Sequence, residues 1–393
     1  MPKDSIIIIE GVRTPLGSFQ GNLSRLSAVE LGTVATRSLL ALTNVDTKEI
    51  DEVIMGCVLP AGLGQAPARQ VALKSGLPEG VAATTVNKVC GSGMRAMIIG
   101  MSQLMAGHSK LLLTGGMESM SNAPLLKRRP AKGEQPVAEH YADHLFLDGL
   151  EDAYSKGTLM GMFAEATSKH YGFTRAEQDA YATESVRRAK QATAEKWFER
   201  EIASVVIKTP TETVEVTEDG TLDRAKIEKI PLLKPAFGEN GTITAASSSG
   251  ISDGAAVLMI STESHAKALG LAARAKIVGF SHHAHESKWF ATAPIHAIQK
   301  LLEKTGWSKD SVDAFEINEA FAVVAMVAIK DLKLDPAKVN IHGGACALGH
   351  PIGASGARIV VTLLNVLERT GGKRGIAAIC IGGGEALAVA IEV

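Results

Sequence analysis

The sequence predicts a layered α/β protein with a duplicated core, and three observations predict it. The first is composition: the 393 residues are 46% hydrophobic and 21% charged but only 4% aromatic, and they include 39 glycines. Such a chain builds its core from Ala, Val, Ile and Leu with close backbone approaches, which suits helices packed on a sheet better than a β-sandwich. The second is the alternation of short β-rich runs with helical patterns, which implies a mostly parallel, helix-covered sheet. The third is an internal echo. Cys90-Gly91-Ser92-Gly93-Met94-Arg95 opens a helix that leads to a strand and Gly115-Gly116; Gly353-Ala354-Ser355-Gly356-Ala357-Arg358 opens a helix that leads to a strand and Gly382-Gly383-Gly384. Two copies of one βα-rich unit would set these glycine turns at related sheet edges.

In chain order, residues 5–9 read as a buried strand, 26–42 as a helix, 51–58 as a strand and 66–75 as a helix. A strand over 84–89 runs into the Cys90 turn and a helix to about 106, and a strand over 110–114 ends at Gly115-Gly116. From about 117 to 241 the pattern breaks. A basic turn (Lys127-Arg128-Arg129-Pro130) precedes a capping box at Thr174-Arg175-Ala176-Glu177 and a polar β-like patch over 205–217, as an insertion of loops, helices and a hairpin would. The alternation resumes near Ser252, with strands over 274–280, 314–317, 339–342, 376–381 and 386–391, and helices over 294–304, 319–331 and from about 354.

The length predicts two or three domains. A net charge of −1 recruits neither nucleic acid nor an anionic membrane. No apolar stretch approaches ~18 residues, so no membrane span is expected. The isoleucine run near the start is too short for a signal-peptide core, and Ile391-Glu392-Val393 is no peroxisomal or reticular address, so a cytoplasmic setting is expected. The cysteines Cys57, Cys90, Cys346 and Cys380 show no CxxC spacing, which argues against zinc and leaves free thiols for chemistry.

Cys90 stands at a strand-to-helix turn. A helix N-terminus favours thiolate over thiol, and the following glycines let a carbonyl approach backbone N–H groups. A small buried hydrophobe is the competing reading. His350 lies in a rigid Gly/Pro loop, suited to presenting imidazole to a pocket, although a surface-loop histidine fits too. Asn318 reads either as a functional amide or as a helix N-cap. Cys380 ends a buried strand before three glycines, which implies backbone pressed against core or ligand. His282, His283 and His285 lack a ligand pattern and read as a solvated loop. Met94, Met97, Met101 and Met105 read as core, and Cys57 as an inert core thiol. The glycine loops match neither a P-loop nor a dinucleotide fingerprint.

At these residues the sequence resembles the thiolase family from end to end. The resemblance is carried by Asn87-Lys88-Val89-Cys90-Gly91-Ser92-Gly93, Gly115-Gly116-Met117-Glu118-Ser119-Met120, Asn318-Glu319-Ala320-Phe321, Gly349-His350-Pro351-Ile352-Gly353-Ala354-Ser355-Gly356 and Cys380-Ile381-Gly382-Gly383-Gly384. It implies a duplicated five-layered α/β/α/β/α core with an inserted loop domain. The N-terminal half would span 1–119, completed by about 250–272; the loop domain holding coenzyme A would span 120–249, and the C-terminal half 273–393. It further implies a homotetramer and the reversible condensation of two acetyl-CoA to acetoacetyl-CoA plus CoA, with no metal or redox cofactor. By resemblance Cys90, deprotonated by His350, takes the acetyl group, and Cys380 removes a proton from the second acetyl-CoA. One oxyanion would face His350 and a water held by Asn318, the other the N–H groups of Cys90 and Gly382. Ser249, Ala245, Leu150, Met160, Phe237 and Phe321 match substrate-pocket positions.

Departures from the family pattern touch CoA binding. His342-Gly343-Gly344-Ala345-Cys346 replaces Asn-Gly-Gly-Ala-Ile, Glu385-Ala386 replaces Met-Gly, and Leu159 stands where a histidine is common. The usual nucleotide-contacting arginine has no clean match in the shortened segment 219–229. Cys346 is expected to be structural or weakly catalytic, since only its loop places it near His350. A degradative 3-ketoacyl-CoA thiolase of broader chain length is the nearest alternative. A ketoacyl synthase is disfavoured by Cys380, a non-catalytic CoA- or lipid-binding relative by the retention of both cysteines and His350, and a cysteine hydrolase would leave Cys380 without a role.

Overall fold

The computed structural model describes residues 4–132, 141–209, 211–222 and 225–393. The first half begins with β1 (Ile6–Arg13), β2 (Gly17–Ser18) and α1 (Ala28–Thr43), continues through β3 (Glu52–Gly56), α2 (Pro67–Lys74) and β4 (Ala82–Val86), and reaches α3 (Ser92–Ala106) and β5 (Leu111–Ser119). There follow β6 (Leu125–Leu126), β7 (Ala142–Asp143), α4 (Met160–Tyr171), α5 (Arg175–Ala194), β8 (Val205–Lys208) and β9 (Thr213–Val216). The chain then returns through β10 (Ser252–Thr262) and α6 (Glu263–Ala268). The second half comprises β11 (Ala275–Ala284), α7 (Ala293–Thr305), β12 (Ala314–Ile317), α8 (Ala322–Leu332), α9 (Ala345–Leu348), α10 (Ile352–Thr370), β13 (Arg374–Ile381) and β14 (Glu385–Glu392). Among the described residues no helix is long and apolar enough to cross a membrane.

The strands form one ten-stranded path in the order β12-β13-β14-β11-β1-β10-β5-β3-β4, with β2 beside β10. Its two halves repeat one pairing scheme. In the first, β4, β3 and β5 are parallel, and β10 and β1 follow antiparallel. In the second, an isolated parallel bridge at Val339, β12 and β13 precede antiparallel β14 and β11. The two half-sheets are joined through β1 and β11, at Ile7↔Lys276 and Ile8↔Ala275. The expected mostly parallel sheet is therefore corrected: each half returns through two antiparallel strands. Residues 339–342 form that single bridge and not a strand.

Five layers follow from the burial. Leucine, isoleucine and valine of α1 and α2 pack on the outer face of the first half, as do those of α7 and α8 on the second. Between the sheets lie α3 and α10, where Met94, Met97, Val360 and Leu364 meet Leu258, Ile379 and Leu387. Every residue of α10 from Ile352 to Leu367 is buried, including the polar row Ser355, Arg358, Thr362 and Asn365, as befits a helix covered on all sides. The two central helices touch at their glycines: a Cβ on Gly356 would lie 2.5 Å from Met94 N, and one on Gly93 2.9 Å from Ala357 N. Met105 leaves this core and is exposed, because α3 ends one residue later beyond the sheet.

Gly115-Gly116 does not end a strand. Both glycines lie inside β5, where added Cβ atoms would stand 2.1 Å from Ala256 O and 2.0 Å from Gly353 O. They are thus not equivalent to Gly382–Gly384, which form the turn between β13 and β14. At the corresponding place in the first half, between β5 and β10, the chain instead makes its long excursion through α4 and α5. Arg13 clamps this excursion: its guanidinium donates to Glu201 at 2.6 Å and to both oxygens of Asp219 at 2.7 and 2.9 Å, all buried. The capping box on α5 is present, and β8 and β9 pair as a hairpin. His282 and His283 belong to β11 and not to a loop, because β11 extends to Ala284 in register with β14.

Candidate active site

Cys90 sits where β4 hands over to α3. Just before it Val89 takes φ 46°, a region that β-branched residues rarely enter. The turn is stapled: Ser92 Oγ donates to Val89 O at 2.7 Å and accepts from Lys88 N–H at 2.8 Å, and Gly91 N–H donates to Lys88 O at 3.0 Å. A Cβ on Gly91 would lie 2.5 Å from Ile381 Cδ1, so the glycine lets the first half press directly on β13 of the second. The expected thiolate at the helix terminus is corrected. Burial pushes the Cys90 thiol up to about 11, and Glu118 adds to it, while the N–H groups of Gly382 and Cys90 pull the other way.

His350 follows α9 in the loop leading to α10, with its N–H donated to Gly250 O at 2.9 Å. Its Nδ1 is hydrogen-bonded to Ser355 Oγ, whose own proton is donated to Pro351 O at 2.9 Å. Ser355 therefore accepts from Nδ1–H, and the ring lone pair lies on Nε2. That nitrogen faces Asn318 Nδ2 at 3.5 Å. Burial, and then the Arg358 charge, hold His350 down at about 3, so the ring is neutral near pH 7. Asn318 is not an N-cap: α8 starts at Ala322 with Phe321 as its cap. The residue is buried, its backbone N–H donates to Ala378 O at 2.9 Å, and its side-chain Oδ1 accepts from Arg358 at 3.5 Å.

Cys380 is buried in β13 opposite Ala386. Burial, followed by the charge on Cys90, raises its thiol well above the usual range. A cavity of about 220 Å³ opens over Cys90, His350 and the half-buried Gly382, walled by Leu150, Met160, Phe237, Ser249 and Phe321. Phe321 meets Phe237 edge-on at 5.7 Å and Phe290 at 6.2 Å. Asn318 and Cys380 lie beneath this surface. Leu159 lines the cavity where the family pattern often has histidine. Ala245 lines a second groove of about 640 Å³ together with Lys226, Lys229 and Cys346. Cys346 is thereby separated from the cavity; its N–H donates to Glu319 at 3.0 Å, and burial and Glu319 raise its thiol well above the usual range. Of the shortened segment 219–229, residues 223 and 224 lie outside the described residues.

Two residues at the site carried no signal of their own in the sequence reading. Ser355, five positions after His350 and one turn into α10, selects the histidine tautomer. Glu118 is fully buried and accepts from the N–H groups of Val58, Leu59 and Gly353 at 3.0, 3.1 and 2.8 Å, joining β5 to the start of α10. Burial pushes its carboxyl up to about 7.

A free thiol beside a neutral imidazole makes a definite prediction. Below its raised pKa the Cys90 thiolate fraction grows about tenfold per pH unit, so inactivation by iodoacetamide should climb by that factor per unit between about pH 7 and 9. A rate already level at neutral pH would reveal a preformed thiolate–imidazolium pair instead. The other three thiols, all held higher by burial, should not compete.

A thiol on a strained turn, a neutral imidazole with Nε2 outward, a second thiol beneath and a backbone N–H beside the first define an α/β enzyme of the class that carries acyl groups on cysteine. Comparison with known proteins makes the class specific. The family model described as "Thiolase, N-terminal domain" matches residues 6–264, and "Thiolase, C-terminal domain" matches residues 271–393. The chain belongs to the thiolase family. It is 45% identical to the acetyl-CoA acetyltransferase of Saccharomyces cerevisiae and 43% identical to that of Schizosaccharomyces pombe, with 99% and 100% of each chain covered. Among solved structures it is similar to the Acat5 thiolase of Ascaris suum in complex with coenzyme A, at TM-score 0.92 and 42% identity with 99% of both chains covered. The acetyl-CoA acetyltransferase of Bacillus anthracis gives TM-score 0.95 at 36% identity, again over 99% of both chains.

Proposed function

We propose that the chain is an acetyl-CoA C-acetyltransferase that reversibly condenses two acetyl-CoA to acetoacetyl-CoA and CoA. The observation that carries this reading is the convergence of Cys90, His350 and Gly382 on one small aromatic-walled cavity with Cys380 under its floor. His350 Nε2 takes the Cys90 proton as sulfur attacks the thioester carbonyl, CoA thiolate leaves with that proton, and acetyl-Cys90 remains. A second acetyl-CoA then enters. Cys380 acts from its thiolate form: it removes a methyl proton, the carbanion attacks acetyl-Cys90, and Cys90 leaves as thiolate and takes that proton from Cys380. The Cys90 and Gly382 N–H groups stabilise the oxyanion at the acetylated thiol, and His350 with a water on Asn318 stabilises the enolate oxygen.

Ser249, Leu150, Met160, Phe237 and Phe321 form the walls for the acyl and pantetheine portions. The groove bearing Ala245, Lys226 and Lys229 supplies cationic groups for the nucleotide phosphates in place of the missing arginine. The insertion between β5 and β10 is the CoA-holding loop domain in this reading. The chemistry needs no metal or further cofactor, CoA being substrate and product. A homotetramer in the cytoplasm completes the proposal, and the four unpaired cysteines suit a reducing compartment.

Thiolysis rates across 3-ketoacyl-CoA chain lengths test it. The phenyl-walled cavity should favour acetoacetyl-CoA by about tenfold or more over chains several methylenes longer. Equal or faster cleavage of the longer chains would establish the degradative, broad-range thiolase instead.

A further inference from the structure

The edge of the second half carries a histidine cluster that the acyl chemistry does not use. His283 lies on β11, His285 just beyond its end, and His296 in the first turns of α7, which packs on β11. One ligand nitrogen from each lies within 4.8 Å of the others, and it is the one such group among the described residues. From this juxtaposition we propose that His283, His285 and His296 form a binding site for a divalent transition-metal ion of the zinc class, open to solvent at its fourth position.

Three features favour an ion here over a chance grouping. His283 Nε2 and His285 Nδ1 stand 3.3 Å apart. Two nitrogens bound at 2.0–2.1 Å to a tetrahedral ion are separated by about 3.3–3.4 Å, so this pair already has ligand spacing. His285 Nε2 lies 2.9 Å from Trp289 O, and a carbonyl only accepts, so that nitrogen carries the proton and Nδ1 carries the lone pair. A ligating ring held by its other N–H on a backbone carbonyl is the usual outer-sphere arrangement of a metal histidine. The His296 ring is exposed and lies beside both others, its centroid 4.4 Å from that of His283 and 5.9 Å from that of His285. The set comes from two elements already packed together, so an ion would close no new loop.

One group competes. Lys300 Nζ lies 3.1 Å from His283 Nδ1, to which its ammonium donates, which leaves the His283 proton on Nε2. Binding an ion at Nε2 requires that proton to reside on Nδ1 and the exposed lysine to swing away. The lysine therefore weakens the site without belonging to it. The ion would also sit behind the catalytic turn: His285 N–H donates to Gly384 O at 2.9 Å, and a Cβ on Gly384 would lie 2.3 Å from His285 O. Binding should accordingly stiffen the segment that presents Gly382.

The test uses the full-length protein, stripped with chelator and titrated with Zn²⁺, and with Co²⁺ as a spectroscopic probe. One ion per chain should bind, Co²⁺ should show the visible bands of four-coordinate nitrogen–oxygen ligation, and Zn²⁺ should raise the thermal midpoint. H283Q and H296A should each weaken binding at least about tenfold, while K300M strengthens it. H296A without metal should retain wild-type thiolysis, which separates this site from the acyl site. The proposal is overturned by no binding, by affinity unchanged in both histidine variants, or by a near-ultraviolet thiolate-to-cobalt band, which would place the ion on the cysteines.

Discussion

Changing Cys380 to serine is expected to leave a protein that still takes an acetyl group from acetyl-CoA but neither makes nor cleaves the carbon–carbon bond of acetoacetyl-CoA. In the proposed reaction the two half-reactions use different sulfurs. Cys90 lines the cavity with His350, whereas Cys380 is buried beneath and kept as a thiol by desolvation and by the neighbouring sulfur. In cleavage the thiol hands its proton to the departing carbanion, and in condensation its thiolate takes a methyl proton; a serine hydroxyl of nearly the same size is a far weaker acid. Losing one positioned acid/base group costs about 10²–10⁴-fold in rate, and thiolysis by Cys380→Ser should fall by that amount. Labelled acetyl-CoA should still transfer its acetyl group to Cys90 of the variant, while Cys90→Ala should take up none. If Cys380→Ser kept thiolysis within a few-fold of wild type, the two-cysteine division of labour would be wrong.

Gly116→Ala is expected to produce the largest structural effect. Gly116 lies in the middle of β5, and a methyl group there would stand 2.0 Å from Gly353 O, 2.8 Å from Gly353 C and 2.9 Å from Ala354 Cα. All three are backbone atoms at the start of a fully buried helix, so no rotamer change relieves the clash. Overpacking of this kind costs about 3 kcal/mol or more, because strand and helix must separate. The damage should reach the site, since Gly353 N–H is bound to Glu118 at 2.8 Å and lies three residues after His350. Gly80→Ala is the matched control: nothing lies within 4 Å of its Cβ position, and it should change stability by less than about 0.5 kcal/mol. Thermal midpoints and residual thiolysis of the two variants decide the matter; equal stability would mean that β5 and α10 are not in backbone contact.

The sequence was informative where local chemistry and periodicity agree. The strand at 314–317 falls on β12 residue for residue, the Thr174 capping box forms, and the echo between the helices opening at Cys90 and at Gly353 reappears as α3 and α10 packed face to face. It misled where a long-range contact sets the meaning of a residue. Gly115-Gly116 resembles a terminator, since glycine is a poor strand residue, yet the sites are glycine because a neighbouring strand and helix occupy the space of their side chains. Asn318 looks like a cap because helices often start after asparagine; the fold starts α8 later and turns the amide toward His350. Parallel and antiparallel strands have the same local pattern when both faces are covered, so the two antiparallel returns in each half were not visible.

By itself the sequence determined the α/β class, the duplication, the inserted segment and the residues with nucleophilic or basic capacity, because these depend on composition, spacing and the properties of single side chains. Only the tertiary structure decided which of those residues meet and in what protonation state. Cys90, His350 and Asn318 come from three separate connections and Cys380 from a strand of the second half-sheet, and they are brought together only once the halves close on α3 and α10. The same closure removes water, which outweighs the helix terminus at Cys90, keeps His350 neutral and leaves its lone pair on Nε2 through Ser355. Desolvation and convergence are properties of the packed molecule, and no window of sequence contains them.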